Sequence, residues 1–284
     1  MGWGSYARAM AELEMIASGY GLVEGPRVDV DGGLYFSDVR DGGVRRLDPD
    51  GTLDVVVPKR RGVGGIALHA DGGIVISGRD ISHVRDGESR TVFATDAPGF
   101  NDLIADAAGR VITATMRSDP FAAGTRTPGE TWLIDLDGAA RELYGDISLT
   151  NGLGFSPDGT ILYHADTTVG IWAHDYDDGE VSNRRLFVPG DDVSPDGLAV
   201  DEAGTVWVAD VSGSGSIRGF APDGNEVGRV AVPAQMVTSL CFGGADRRDL
   251  YIVTGDNTND AARRGCVFRT RADIAGVPVA FARI

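Results

Sequence analysis

One short pattern returns six times along this 284-residue chain, and that return limits the fold more than any other feature. A turn built on Gly, Asp or Asp-Gly runs into an alternating apolar segment at DVDGGLYFSD (29–38), HADGGIVISG (69–78), DAAGRVITAT (106–115), SPDGTILYHA (156–165) and DEAGTVWVAD (201–210). GADRRDLYIVT (244–254) is a weaker sixth copy. The first apolar residues after these turns are Leu34, Ile74, Val111, Ile161, Val206 and Leu250, spaced by 40, 37, 50, 45 and 44 residues. A repeat of that length with a second hairpin signal after each copy, such as VRRLDPDGTLDVVV or IRGFAPDGNEVGRVAV, is the period of a propeller blade. The pattern predicts an all-β chain: one six-bladed β-propeller over 1–284, with four-stranded antiparallel blades around a central channel. Residues 1–15 read as an N-terminal extension, and the long third gap places a lid loop at 118–130. LEMIASG (13–19) is expected to complete the last blade beside VPVAFARI (277–284), so that the ring has no free sheet edge.

Composition narrows the partners. A formal charge of −16 argues against nucleic acid and against an anionic membrane surface, because the long-range field repels both. No window reaches the length of a membrane span, and the first residues lack the pattern of a signal peptide. The two cysteines, Cys241 and Cys266, lie in strand-like runs and read as reduced thiols, although one disulfide between them is open on sequence grounds. The expectation is a cytoplasmic protein, a monomer or small homo-oligomer, acting on a small molecule.

The repeat also points to a site. The strand after each turn is taken as the one nearest the axis, so matching positions ahead of it should meet at the channel. Ten residues before the reference positions lie Glu24, Asn101, Asn151 and Asp196; the second repeat has Gly64 there and the sixth, after an insertion, Thr238. Two carboxylates aimed at one another require a counter-charge. Oxygen donors of this hardness suit one divalent cation, calcium first, then magnesium or manganese, with zinc or iron also admitted. Each residue has an ordinary alternative: Glu24 as a turn carboxylate, Asn151 as the left-handed residue of an Asn-Gly turn, Asp196 as a hairpin tip. Pro-Asp-Gly occurs at 49–51, 157–159, 195–197 and 222–224, and only the copy at Asp196 falls at the axial register. His164 and His174 read as hydrogen-bonded blade residues, and no Gly-x-Ser-x-Gly elbow supports a nucleophilic serine.

These segments also carry a resemblance. EGP (24–26), FND (100–102), TNGLGFSPDG (150–159), VSNRR (181–185), SPDGLAVDEAG (194–204) and CFGG (241–244), in this order, resemble the regucalcin/gluconolactonase family over nearly the whole chain after about the first 15 residues. The resemblance implies a six-bladed propeller with one divalent cation on Glu24, Asn151 and Asp196, and hydrolysis of a lactone or related ester. It implies that Asn101 contacts substrate or completes the metal shell, with Asp102 beside it. It places Asp119 where sugar-lactone enzymes of the family have a substrate-binding Glu. Gly99 departs from the pattern, since those enzymes carry an Arg there to hold sugar hydroxyls. In the implied chemistry the cation polarises the lactone carbonyl and Asp196 is the general base; the residues leave open whether Asp196 takes the proton or only orients the water. Two rival readings stand beside it: a phosphotriesterase-like hydrolase, and a non-catalytic propeller that binds a metabolite or protein around a structural cation.

Overall fold

The computed structural model describes residues 12–122, 124–255 and 265–284. Among the described residues, twenty-four strands form six four-stranded antiparallel sheets. The innermost strands are Val23–Val28, Ile66–Leu68, Gly99–Ala105, Thr150–Phe155, Pro195–Val200 and Met236–Gly243. Each packs on the next and the sixth packs on the first, which closes a six-bladed β-propeller around an axial channel. Apolar side chains on both faces of the inner strands, as in the fully buried Ile74–Ile76, fill the gaps between blades. Val63, Ile66 and Ile74 pack with Val44 and Val57, for example, and Leu198, Val206 and Val208 with Tyr163 and Ala173.

The register differs from expectation in one respect. The segment after each turn, such as Leu34–Asp38, is the second strand of its blade, and the strand before the turn lies on the axis. Glu24, Asn101, Asn151, Asp196 and Thr238 therefore sit within the innermost strands themselves. The turn announces itself in sequence, while the axial strand does not, because it is bulged. The pairing slips at Glu24/Arg27, Phe100/Leu103, Thr150/Leu153, Pro195/Leu198 and Val237/Ser239. A bulge takes residues off the ladder and re-aims their side chains, here at the channel.

Closure of the ring is also corrected. Glu14–Tyr20 supplies the outer strand of the last blade, but its partner is Gly265–Arg271. The proposed partner, VPVAFARI, is no blade strand. It runs as a strap beneath the ring: Val277 N donates to Val200 O at 2.9 Å, Ala282 N to Leu68 O at 2.8 Å and Arg283 N to Gly109 O at 2.8 Å. Pro278 has no N–H to donate, so this stretch is poorly suited to a ladder. Glu14 and Met15 belong to a strand rather than to the N-terminal extension, of which residues 1–11 lie outside the described residues. The expected lid loop ends sooner than expected, because Gly129 and Glu130 open the third strand of blade 3.

Candidate metal centre and catalytic site

The four Pro-Asp-Gly copies divide as two different structures. Gly51, Gly159 and Gly224 have φ of +89°, +73° and +85°, as a hairpin tip requires. The carboxylates before them accept backbone N–H groups two residues on, from Thr52 at 2.8 Å, Thr160 at 3.1 Å and Asn225 at 3.1 Å; at Asp158 the Ser156 hydroxyl first and then the backbone bond, and at Asp50 and Asp223 the backbone bond first, lower the pKa. Asp196 reverses each property. Gly197 is absent from the left-handed region, and Asp196 is buried in an axial strand at 4% exposure. Burial first, and repulsion from Asp102 second, push its pKa well above the ordinary range. Its Oδ1 is buried with no hydrogen-bond partner among the described residues. Neither Asn151 nor Gly152 has positive φ, so this pair is no Asn-Gly turn.

Glu24 shares this environment. It is buried, and its pKa is raised by burial, then by the negative charges of Asp196 and Asp102. Asp102 is itself pushed up to about 6 by burial, offset in part by the Arg27 guanidinium. Three carboxylates thus crowd the channel from blades 1, 3 and 5, and burial, joined at Glu24 and Asp196 by repulsion, makes each a poor anion until a positive charge is supplied.

Neutral donors complete the ring. Asn101 Nδ2 donates to Asn151 Oδ1 at 2.6 Å and to Thr150 O at 2.8 Å. The Asn151 amide is held by its other end: Nδ2 donates to Thr167 Oγ1 at 2.8 Å, and that hydroxyl donates to Pro195 O at 2.8 Å. Gly64, the blade 2 equivalent, leaves the space that Asn101 fills, for a methyl there would collide with the Asn101 side-chain oxygen. Thr238, the blade 6 equivalent, turns away and ties Val23 O at 2.6 Å. Among the described residues no three His, Cys, Asp or Glu side chains are grouped to hold a metal ion. A cation on the axis would draw on two carboxylates, Glu24 and Asp196, plus the Asn151 amide oxygen. The orphaned Asp196 Oδ1 and the crowded buried charge fit a hard divalent cation.

A supporting set was not found from sequence. In the three blades that carry Glu24, Asn151 and Asp196, the second strand ends in Asp38, Asp166 and Asp210, each buried. Asp38 accepts from Gly21 N at 3.1 Å and Leu22 N at 3.4 Å. Asp166 accepts from Ser148 N at 2.7 Å and Leu149 N at 3.1 Å, and Asp210 from Ser194 N at 3.3 Å. Each carboxylate thereby fixes the chain two or three residues ahead of a candidate ligand. The recurring endings FSD, HAD and VAD were the available signal.

Asp119 stands apart from this cluster. It is exposed, and its carboxylate accepts Phe121 N at 2.9 Å inside its own loop. Phe121 in turn lies 5.9 Å from the Arg40 guanidinium, so the blade 3 loop reaches to blade 1. Gly99 has a local cause: a Cβ there would sit 3.0 Å from Gly78 O, against the bridge that joins Gly78 to Phe100. His164 and His174 lie on the second and third strands of blade 4, away from the axis, as expected. Cys241 and Cys266 are free thiols. No helix among the described residues is long and apolar enough to cross a membrane.

Residues 22–256 match the family described as SMP-30/Gluconolactonase/LRE-like region. A pentonolactonase from Haloferax volcanii is 35% identical, the alignment covering 86% of this chain and 88% of that one. A 6-deoxy-6-sulfogluconolactonase from Pseudomonas putida is 32% identical over 86% and 88% of the two chains. Among solved structures, a gluconolactonase from Xanthomonas campestris superposes with a TM-score of 0.78 at 26% identity, covering 92% of this chain and 89% of that chain. The calcium-binding protein regucalcin from Agrobacterium tumefaciens shares the fold with a TM-score of 0.85 at 22% identity, over 96% and 98% of the two chains. Because the family match runs from the first blade into the last, and the likeness to the two lactonases spans most of the chain, this protein belongs to the SMP-30/gluconolactonase/LRE-like family.

Proposed function

We propose that this protein hydrolyses a sugar lactone at the axial site, with one divalent cation, calcium by preference, on Glu24, Asn151 and Asp196. The observation that carries the reading is the unpartnered, buried Oδ1 of Asp196 amid crowded carboxylates, in a chain whose relatives include named lactonases. Bound there, the cation would polarise the lactone carbonyl and offset the burial and repulsion that keep the proton affinity of Glu24 and Asp196 high.

The chain's own groups do the rest. Asp196 takes a proton from the attacking water as its oxygen bonds to the carbonyl carbon. The ring C–O bond then breaks, and the departing ring oxygen receives a proton, giving the open hydroxy acid. Asn151 is held at one rotamer by Thr167, and Asn101 by Thr150 and Asn151, so neither must reorganise on binding. Asn101 and Asp119 are the substrate contacts in this reading, and the loop after Arg117 sets which lactone enters. The free thiols suit a cytoplasmic setting.

The test is acid release from aldonolactones of five- and six-membered ring size, by the full chain, before and after chelation and with calcium returned. The reading requires hydrolysis that chelation removes and calcium restores. Hydrolysis indifferent to chelation, or none with any lactone, contradicts it.

A further inference from the structure

Beside the C-terminal strap, the later residues of five axial strands line a second space. Its volume is about 650 Å³, in the range that holds a small organic ligand. Leu153, Leu198, Val200, Phe242 and Val277 give it largely apolar walls, and Arg27 stands at its inner end. Arg27 comes from the blade 1 axial strand and crosses to blade 2, where Nε donates to Ile66 O at 2.9 Å. Among the described residues its two terminal nitrogens have no hydrogen-bond partner. Asp102 feels its charge but is not bonded to it; the Asp102 oxygens accept Leu103 N at 2.7 Å and Leu153 N at 3.4 Å.

We infer that this cavity binds a small organic carboxylate with an apolar body, its head group paired with the Arg27 guanidinium. A partly buried guanidinium with two free N–H edges is a fork that matches a carboxylate, and charge-assisted bonds of this type gain strength away from water. The apolar walls favour a hydrocarbon tail by the area they cover. Of the acids at the rim, Asp177 is exposed and the others are engaged elsewhere. Asp106 is held by Arg110 at 2.6 Å and the Tyr176 hydroxyl at 2.7 Å, and Asp158 by Ser156 and Thr160. Arg110 is likewise occupied, by Asp106 and Asp178, which leaves Arg27 as the open cation of the cavity.

The inference does not depend on the lactonase reading, and the experiment keeps them separate. The full chain is titrated by calorimetry with hexanoate, hexanamide and hexylammonium, once with calcium and once after chelation. Hexanoate is expected to bind at least about tenfold tighter than hexanamide, equally with and without calcium. Arg27→Gln should abolish that preference, and Val277→Trp, which fills the cavity from the strap, should weaken both ligands at least about tenfold. Melting curves of both variants report folding, and the strap variant keeps the test valid if Arg27→Gln is unstable. The inference fails if hexanoate shows no preference over hexanamide, if hexylammonium binds best, if either variant binds as wild type, or if binding needs calcium. That last result would place the carboxylate on the axial cation.

Discussion

Thr150 and Asn151 are chain neighbours that serve two buried clusters of opposite design. Thr150 Oγ1 lies 2.8 Å from His164 Nε2, and the Tyr144 hydroxyl lies 2.9 Å from His164 Nδ1, so both ring nitrogens are partnered. Burial holds His164 neutral, its pKa pushed down to about 3, and His174, stacked on Tyr144, is pushed down to about 4. One residue further along, Asn151 joins a cluster in which burial acts on carboxylates and leaves Asp196 Oδ1 without a partner. The first cluster satisfies His164 with groups of its own chain and holds its bases neutral, although His174 Nε2 is left without a partner; the second accumulates like charge around an orphaned acceptor. Neither burial nor a single unpartnered atom therefore distinguishes the two; like charge gathered around the orphaned acceptor separates the site from packing.

Substitutions should break this contrast in a graded way. Asp196→Asn is expected to reduce lactone hydrolysis by about 10²–10⁴-fold, the loss typical of a general base. The same change should stabilise the metal-free protein, since it removes a repelling buried charge. Steady-state kinetics and a melting curve after chelation read both effects; a variant destabilised without metal would contradict the charge argument.

The pH dependences should run in opposite directions. His164→Leu is expected to cost about 1–3 kcal/mol near neutral pH, because Tyr144 and Thr150 lose a partner. In wild type the depressed His164 pKa stabilises the fold above the unfolded value, and that contribution is lost as pH falls below about 6.5, at about 1.4 kcal/mol per unit. The cost of His164→Leu should therefore shrink in urea unfolding at pH 5. Asp102 has a raised pKa, so its favourable contribution is present in acid and lost as pH rises through about 6. Asp102→Asn should raise the melting temperature of chelated protein above that pH and give no gain in acid. Equal effects at both pH values would remove the distinction between the clusters.

Two smaller effects sharpen it. Gly64→Ala should cost about 1–3 kcal/mol in stability and displace Asn101, visible as weaker substrate binding, since a methyl there collides with the Asn101 oxygen. Thr167→Val should cost about 1 kcal/mol or less and weaken metal binding by a few fold, by freeing the Asn151 amide.

Much of this was legible in the sequence, and the failures have physical causes. The Asp-Gly turns recur at blade period, so the number of blades and the hairpin scheme could be read directly. Which strand lines the axis was misread because VEGPRV, with a positive-φ Gly25 and a bulge, lacks the alternation that marks Leu34–Asp38. The residues themselves survived that misreading, since counting back by a fixed interval lands on the same bulge in blades 1, 3, 4 and 5. VPVAFARI alternates like a strand, but its hydrogen bonds go to three different blades, a pattern only the closed ring creates. Thr167, Arg27 and Gly64 act through contacts of 16 to 39 residues' separation, or through space left empty, and none has a local signal.

The most direct measurement is the metal content and affinity of the purified chain, by elemental analysis and calcium titration, beside Asp196→Asn and Glu24→Gln. The account predicts one divalent ion per wild-type chain, with binding lost or strongly weakened in both variants while their melting curves remain cooperative. A wild-type chain that takes up no ion, or variants that bind calcium as wild type does, would contradict an axial metal centre.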